Sequence, residues 1–280
     1  MKKRTAVLVL LLTATLLFTA CGPETQPANA ATTVPDTTIE TTTTKIEEIS
    51  TEATTAETTT MEETSTEAPA PVPPKGKAAI LAAYTKVVDK VKIDMPQYVS
   101  NDWQTMSNVD MSGFTYGLIS PIAKQFLETR EQSHADTHSA GGHAKWFAMP
   151  TNELKAGCVL TDTSKIESAS CVKSGDSFVI TITLATEKDP TRDMANPASV
   201  SGWHGKMFDV IDIVEVTEVA KNLGFNEGNA YCTFQGTATL KYNPGTDECI
   251  ALDHIIDVRI FLGSGAAKVI ADYHFYDFKW

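Results

Sequence analysis

Apolar and polar positions change period along the chain, and the changes divide it into elements. In GKAAILAAYTKVVDKVK, Ile80, Tyr84, Val87, Val88 and Val91 recur three and four apart, which predicts an amphipathic helix over Lys77–Val91. The stretch YVSNDWQTMSNVDM that follows is polar and irregular, with a strand as the weak expectation. SPIAKQFLETREQ places Ser120 at an N-cap and Pro121 at the first helical position, with Ile122, Phe126 and Leu127 on one face. A further helix is expected to open at Asp212, with Glu215 three residues on. It would run through Val216, Val219, Ala220 and Leu223 and stop at Gly224.

Elsewhere the period falls to two. KIESASCV, a turn at Ser174-Gly175, and SFVITITLAT read as a β-hairpin, with Phe178, Ile180, Ile182 and Leu184 facing one way. The last fifty residues read as a meander: AYCTFQGTATLKY, a Pro244-Gly245 turn, CIALDHIIDVRIFL, GSGA, then KVIADYHFYDFKW. In its middle strand Ile250, Leu252, Ile256, Val258, Ile260 and Leu262 are expected inside, with Cys249, Asp253, Asp257 and Arg259 outside. Strands this long exceed the usual length and curve around what they cover. The fold class expected is α+β: a curved antiparallel sheet with a long C-terminal meander, packed on the Lys77–Val91 helix.

The N-terminal quarter has a different pattern. Lys2, Lys3 and Arg4 precede an apolar run from Ala6 to Leu17, too short to span a bilayer comfortably, and then Thr19, Ala20 and Cys21. This is a secretory signal peptide over residues 1–20. Phe18-Thr19-Ala20-Cys21 resembles the lipobox of bacterial lipoproteins, although Phe18 stands where that family usually has an aliphatic residue. The resemblance implies that Cys21 is diacylated, begins the mature chain, and anchors it to the outer face of the plasma membrane.

Residues 21–74 read as a tether. From Gly22 to Pro74 there are seventeen Thr and ten acidic residues against Lys45 alone, and the segment ends in APAPVPPKG. Such a composition cannot bury enough surface to offset chain ordering, so disorder is expected. Fully extended it would reach about 180 Å, and as a coil about 40 Å. Residues 75–280 then form a single domain. The chain carries a formal net charge of −12, a sign unsuited to nucleic acid.

The lipobox, the Thr/Glu-rich tether, a first helix like ILAAYTKVVDKVK, a hairpin like IESASCVKSGDSFVITI and the closing meander together resemble a loose group of surface lipoproteins of Gram-positive, clostridia-type bacteria. No activity is assigned to that group, so the resemblance implies no catalytic residue.

Chemistry-bearing motifs are few. SHADTHSAGGH gathers His134, His138 and His143. On a continued helix His134 and His138 would be four apart and could chelate zinc, with His143 folding back as a third ligand. Against this, Ala135 stands where zinc peptidases need Glu, and the small polar flanks suit an exposed loop. No cofactor is expected. GSG at 263–265 lacks the spacing of a hydrolase elbow, no phosphate-binding glycine loop is present, and Asp253 with Asp257 fits a solvated face. The closing DYHFYDFKW puts Tyr273 and Phe275 on one face and His274, Tyr276, Phe278 and Trp280 on the other. Tyr273, Phe275, Tyr276 and Trp280 are the candidate platform for a ligand. The function expected is a non-catalytic surface module that binds an extracellular protein or glycan. The alternatives are a hydrophobic-ligand or lipid carrier using the concave side of the sheet and, third, a metal-dependent enzyme.

Cys158, Cys171, Cys232 and Cys249 are an even set in an oxidising compartment. With a turn at Pro244-Gly245, Tyr242 faces Cys249, and Cys232 lies roughly 30 Å away, beyond disulfide reach. The open alternatives are Cys158–Cys249 with Cys171–Cys232, Cys158–Cys232 with Cys171–Cys249, a lone local Cys158–Cys171 bridge, or four free thiols.

Overall fold

A computed structural model describes residues 70–108, 117, 129–142, 146–149, 151, 154–222, 227–263 and 265–280. The signal peptide, Cys21, nearly all of the tether, most of the Ser120–Gln132 segment and His143 therefore lie outside the described residues. The long helix α1 spans Lys77–Asp94. Strands follow as β1 (Gln97–Asn108), β2 (Asp136–His138), β3 (Ile166–Ser174), β4 (Ser177–Leu184) and β5 (Glu187–Lys188). A short helix α2 (Ile213–Asn222) precedes β6 (Ala230–Asn243), β7 (Glu248–Leu262) and β8 (Gly265–Lys279).

Every strand pairing is antiparallel, in one open eight-stranded sheet ordered β2-β1-β8-β7-β6-β4-β3, with β5 beside β6. The class is α+β and mainly β. The meander β6-β7-β8 forms with Tyr242 opposite Cys249 and Leu262 opposite Gly265. The first hairpin turns on Gly175 and Asp176, because Ser174 pairs with Ser177; Gly175 takes a positive φ of 62°. The polar stretch after α1 is a full twelve-residue strand. Its neighbour is β8, the last strand of the chain.

Helix α1 ends where Met95 turns left-handed and donates its N–H to the Val91 carbonyl, with Pro96 next in the chain. It buries Ile80, Leu81, Tyr84, Val87, Val88 and Val91 against β3, β4 and β7. Phe147, Met149, Cys158, Leu160, Met207, Phe208 and Val210, from the connecting segments, complete this core. Two polar pairs inside it are satisfied. Tyr84 donates its hydroxyl to His254 Nε2 at 2.8 Å, and burial pulls that imidazole down to about 3, against the nearby Asp253. Lys92, also buried, donates to the Met149 carbonyl and the Thr151 hydroxyl, and burial pulls its amine down to about 7, opposed by Asp89.

A third polar cluster ties the segment after β4 to the sheet. The buried Glu187 carboxylate accepts from the backbone N–H groups of Trp203 and His204 and from His204 Nδ1 at 3.0 Å. His204 Nε2 in turn accepts the Gly236 N–H at 3.0 Å. Both ring nitrogens are thus used by the neutral imidazole.

Three bulges break strict alternation. Between β6 and β7, Lys241 pairs with Ala251 and Tyr242 with Cys249, so Ile250 is the extra residue. Ile250 is consequently 39% exposed and Cys249 buried, the reverse of the expected faces. Between β1 and β8 the register slips after Tyr276, where Asp277 has a φ of 54°. Phe278 therefore rejoins the core side, stacking on Tyr98, instead of sharing a face with His274 and Tyr276. The third bulge leaves Glu167 unpaired in β3. The expected helix at Asp212 forms over Ile213–Asn222, with the Asp212 carboxylate accepting the Val214 N–H, while Leu223 and the expected stop at Gly224 lie outside the described residues.

The two-bridge disulfide frameworks are corrected: Cys158, Cys171, Cys232 and Cys249 are all free thiols. Register supplies the reason. Cys171 aligns through Ile180 with Leu240, eight residues from Cys232 on β6, or about 26 Å along the strand. Cys249 lies three strands from Cys171, about 14 Å across the sheet, where a disulfide needs about 7 Å or less between Cα atoms. Both frameworks need Cys171, so both fail. Burial pushes Cys158 up to about 11 and Cys232 up to about 12 and raises Cys249 as well, which keeps these thiols protonated and inert.

Candidate functional site

Alternation that buries one face of the sheet leaves the other wet, and register decides what lines up there. One row crosses six strands: Ser170, Thr181, Thr239, Asp253, His274 and Asn101, on β3, β4, β6, β7, β8 and β1. The next row carries Ser168, Thr183, Thr237, Ile255, Asp272 and Trp103 in the same strand order. None of these twelve side chains is buried.

At the β7-β8-β1 end the rows enclose a cleft of about 360 Å³ lined by Asn101, Trp103, Arg130, Ser133, Asp253, His274 and Tyr276. His274 Nδ1 donates to Asp253 Oδ1 at 2.6 Å. The Trp103 ring stacks on the imidazole with centroids 4.4 Å apart, and the Arg130 guanidinium sits 5.1 Å from the Trp103 ring. Behind them burial raises the Asp272 carboxyl, opposed by His274, Trp103 and Arg130.

Two atoms of this site are buried without a hydrogen-bond partner: His274 Nε2 and Asn101 Oδ1. Nδ1 is the ring nitrogen committed to Asp253, and Nε2 and the Asn101 amide oxygen both lie beneath the cleft surface. The cleft itself presents Arg130, Ser133 and Asp253 beside aromatic surface from Trp103 and Tyr276, a lining suited to a ligand that carries hydroxyl or amine groups.

The expected platform does not assemble. Phe275 is 6% exposed and sits among Tyr98, Phe147 and His254 in the core. Tyr273 faces the same side, at a crevice of about 10 Å³. Trp280 lies near α1, donating its indole N–H to the Cys249 carbonyl at 3.0 Å beneath Lys90. Of the four, only Tyr276 lines the cleft.

Nor do the clustered histidines form a chelating helix face. Ser133–Ala135 are irregular and Asp136–His138 are strand. His134 is exposed and donates to the Gln132 carbonyl, while His138 bonds Ser100 and stacks on Tyr98. His143 lies outside the described residues. Among the described residues no three His, Cys, Asp or Glu side chains are grouped to hold a metal.

The Asp253–His274 pair was missed because the two residues are 21 apart in the chain. A signal existed: the GSG turn sets Leu262 opposite Gly265, and counting back places Asp253 opposite His274. Asn101 and Trp103 carried no such signal, since nothing local says that β1 lies beside β8. Compared with protein-family models, curated proteins and solved structures, the chain matches none.

Proposed function

We propose that the protein is a lipid-anchored, extracytoplasmic binding module that takes a sugar-class ligand in the outer-face cleft and acts by recognition, not catalysis. The observation that carries this reading is the lining of the cleft, where Asn101, Arg130, Ser133, Asp253 and His274 stand beside Trp103 and Tyr276. Sugars present hydroxyl donors along one edge of a ring and an apolar C–H face to aromatic side chains, and Arg130 and Ser133 add donors for their oxygens. The anchor rests on the Lys2-Lys3-Arg4 start, the apolar run and Cys21, with the tether as a spacer. No described helix is long and apolar enough to cross a membrane. A carrier of acyl chains would need room in the core, which Tyr84, Phe147, Phe208 and Phe275 occupy.

Two measurements test the proposal. Cys21→Ala is expected to release the protein from the membrane fraction; undiminished membrane association would place the anchor elsewhere. Mature protein solubilised in detergent is expected to bind sugars on a glycan array. His274→Ala should weaken that binding about tenfold or more, the equivalent of about 1.4 kcal/mol. An unchanged affinity in His274→Ala would remove the cleft from the reading.

A further inference from the structure

The cleft is only one end of the wet face, and the rest of that face repeats. On β3, β4 and β6 the sequences SAS, TIT and TAT place Ser168, Ser170, Thr181, Thr183, Thr237 and Thr239 outward, two hydroxyls per strand. Register aligns them in two parallel rows that run straight into the cleft, one ending at His274 and Asn101, the other at Asp272 and Trp103. Thr183 and Thr237 are close enough to share a hydrogen bond at 3.1 Å, so the rows are continuous across strands. Hydroxyls can donate and accept by rotating, which suits a ligand whose own hydroxyls do both.

Spacing decides the ligand class. Adjacent strands are about 4.8 Å apart, so the six-strand row is about 24 Å long. An extended pyranose polymer repeats at close to that interval, so each step along such a chain meets the next strand's hydroxyl in equivalent geometry. The charge at the cleft end sorts among such polymers. Among the described residues Asp253 and Asp272 in the rows face Arg130 as the cleft's one cationic side chain, an arrangement that repels polyanionic glycans.

We propose that the ligand is a linear, uncharged polysaccharide lying across the strands, with one unit in the Trp103–His274–Tyr276 cleft and the following units over Thr239, Thr181 and Ser170. This rests on the sugar-binding reading of the cleft and extends it to a chain. The cleft supplies the anchoring contacts; the hydroxyl rows supply length dependence.

The test uses the mature protein in detergent and calorimetric titration with β-1,4-linked oligomers of glucose and of N-acetylglucosamine, from one to six units. Affinity is expected to climb with chain length to about four units, one in the cleft and three over the hydroxyl rows, and then level off. Thr181→Val with Thr239→Val removes two hydroxyls while keeping β-branched side chains suited to strands. That double variant should weaken the hexamer about tenfold or more and leave the monosaccharide unchanged, with an unaltered melting temperature. Affinity independent of length, or a double variant that binds the hexamer like the parent, overturns the extended site and leaves the cleft reading intact. Failure of every oligomer to bind overturns both.

Discussion

His204→Ala is expected to lower folding stability by about 3–5 kcal/mol, because it takes the side-chain donor from the buried Glu187 carboxylate and leaves that charge undercompensated. The variant leaves the Glu187 carboxylate buried with only backbone donors and strips the acceptor from the Gly236 N–H. Gly202→Ala should do comparable harm by another route, since a Cβ there would lie 1.8 Å from Glu187 Oε1. The cluster also predicts an acid limb. Burial pushes the Glu187 carboxyl up, but hydrogen bonds from the His204 side chain, the His204 backbone and the Trp203 backbone outweigh it, so the net displacement is downward. A carboxyl lowered in the folded state stabilises above its unfolded value, and that stabilisation disappears as pH falls through the folded value. Urea unfolding of the parent should therefore weaken on acidification below about pH 4.5, and His204→Ala should show a shallower acid dependence. A parent and variant with the same midpoint at pH 7 would show that the cluster contributes nothing.

Phe275→Ala is the second large effect, expected to cost about 3–5 kcal/mol through loss of ring contacts and the cavity left behind. The ring packs edge-on to Phe147 at 5.0 Å and to Tyr98 at 6.1 Å, and borders His254. Its chain neighbour behaves oppositely. Tyr276 points to the wet face, so Tyr276→Ala should change stability by about 1 kcal/mol or less while weakening sugar binding. Thermal unfolding and titration of both variants would check the pair. A Phe275→Ala protein of parental stability would mean that the two faces of β8 have been assigned the wrong way round.

That pair shows how much alternation can and cannot say. Over Ala267–Tyr276 the two faces of β8 follow the period-two pattern, and Tyr273 and Phe275 do face together. Past Asp277 the bulge inserts one residue and every later side chain changes face, which took Phe278 into the core. Ile250 was misassigned for the same reason on β7. A bulge is decided by how two strands fit when paired, so a single strand's pattern carries little warning of it. The histidine cluster erred differently: its four-residue spacing has meaning only on a helix, and the chain there is irregular and then extended.

Strand type, hairpin partners and the register of the meander were determined by the sequence, because alternation and turn residues act over a few positions and the turns pin everything counted back from them. The Asp253–His274 pair belongs to that part, although it takes counting to see it. The placement of β1 against β8 was decided only by the tertiary structure. It joins strands more than 150 residues apart, and its driving force is burial of Tyr98 and Phe275 against each other and Phe147, a property of the assembled core. Through that one pairing Asn101 and Trp103 arrive beside His274, and a solvated carboxylate and an imidazole become one wall of a cleft. The free cysteines follow equally from assembly, since sheet register sets the distances that no spacing along the chain reveals.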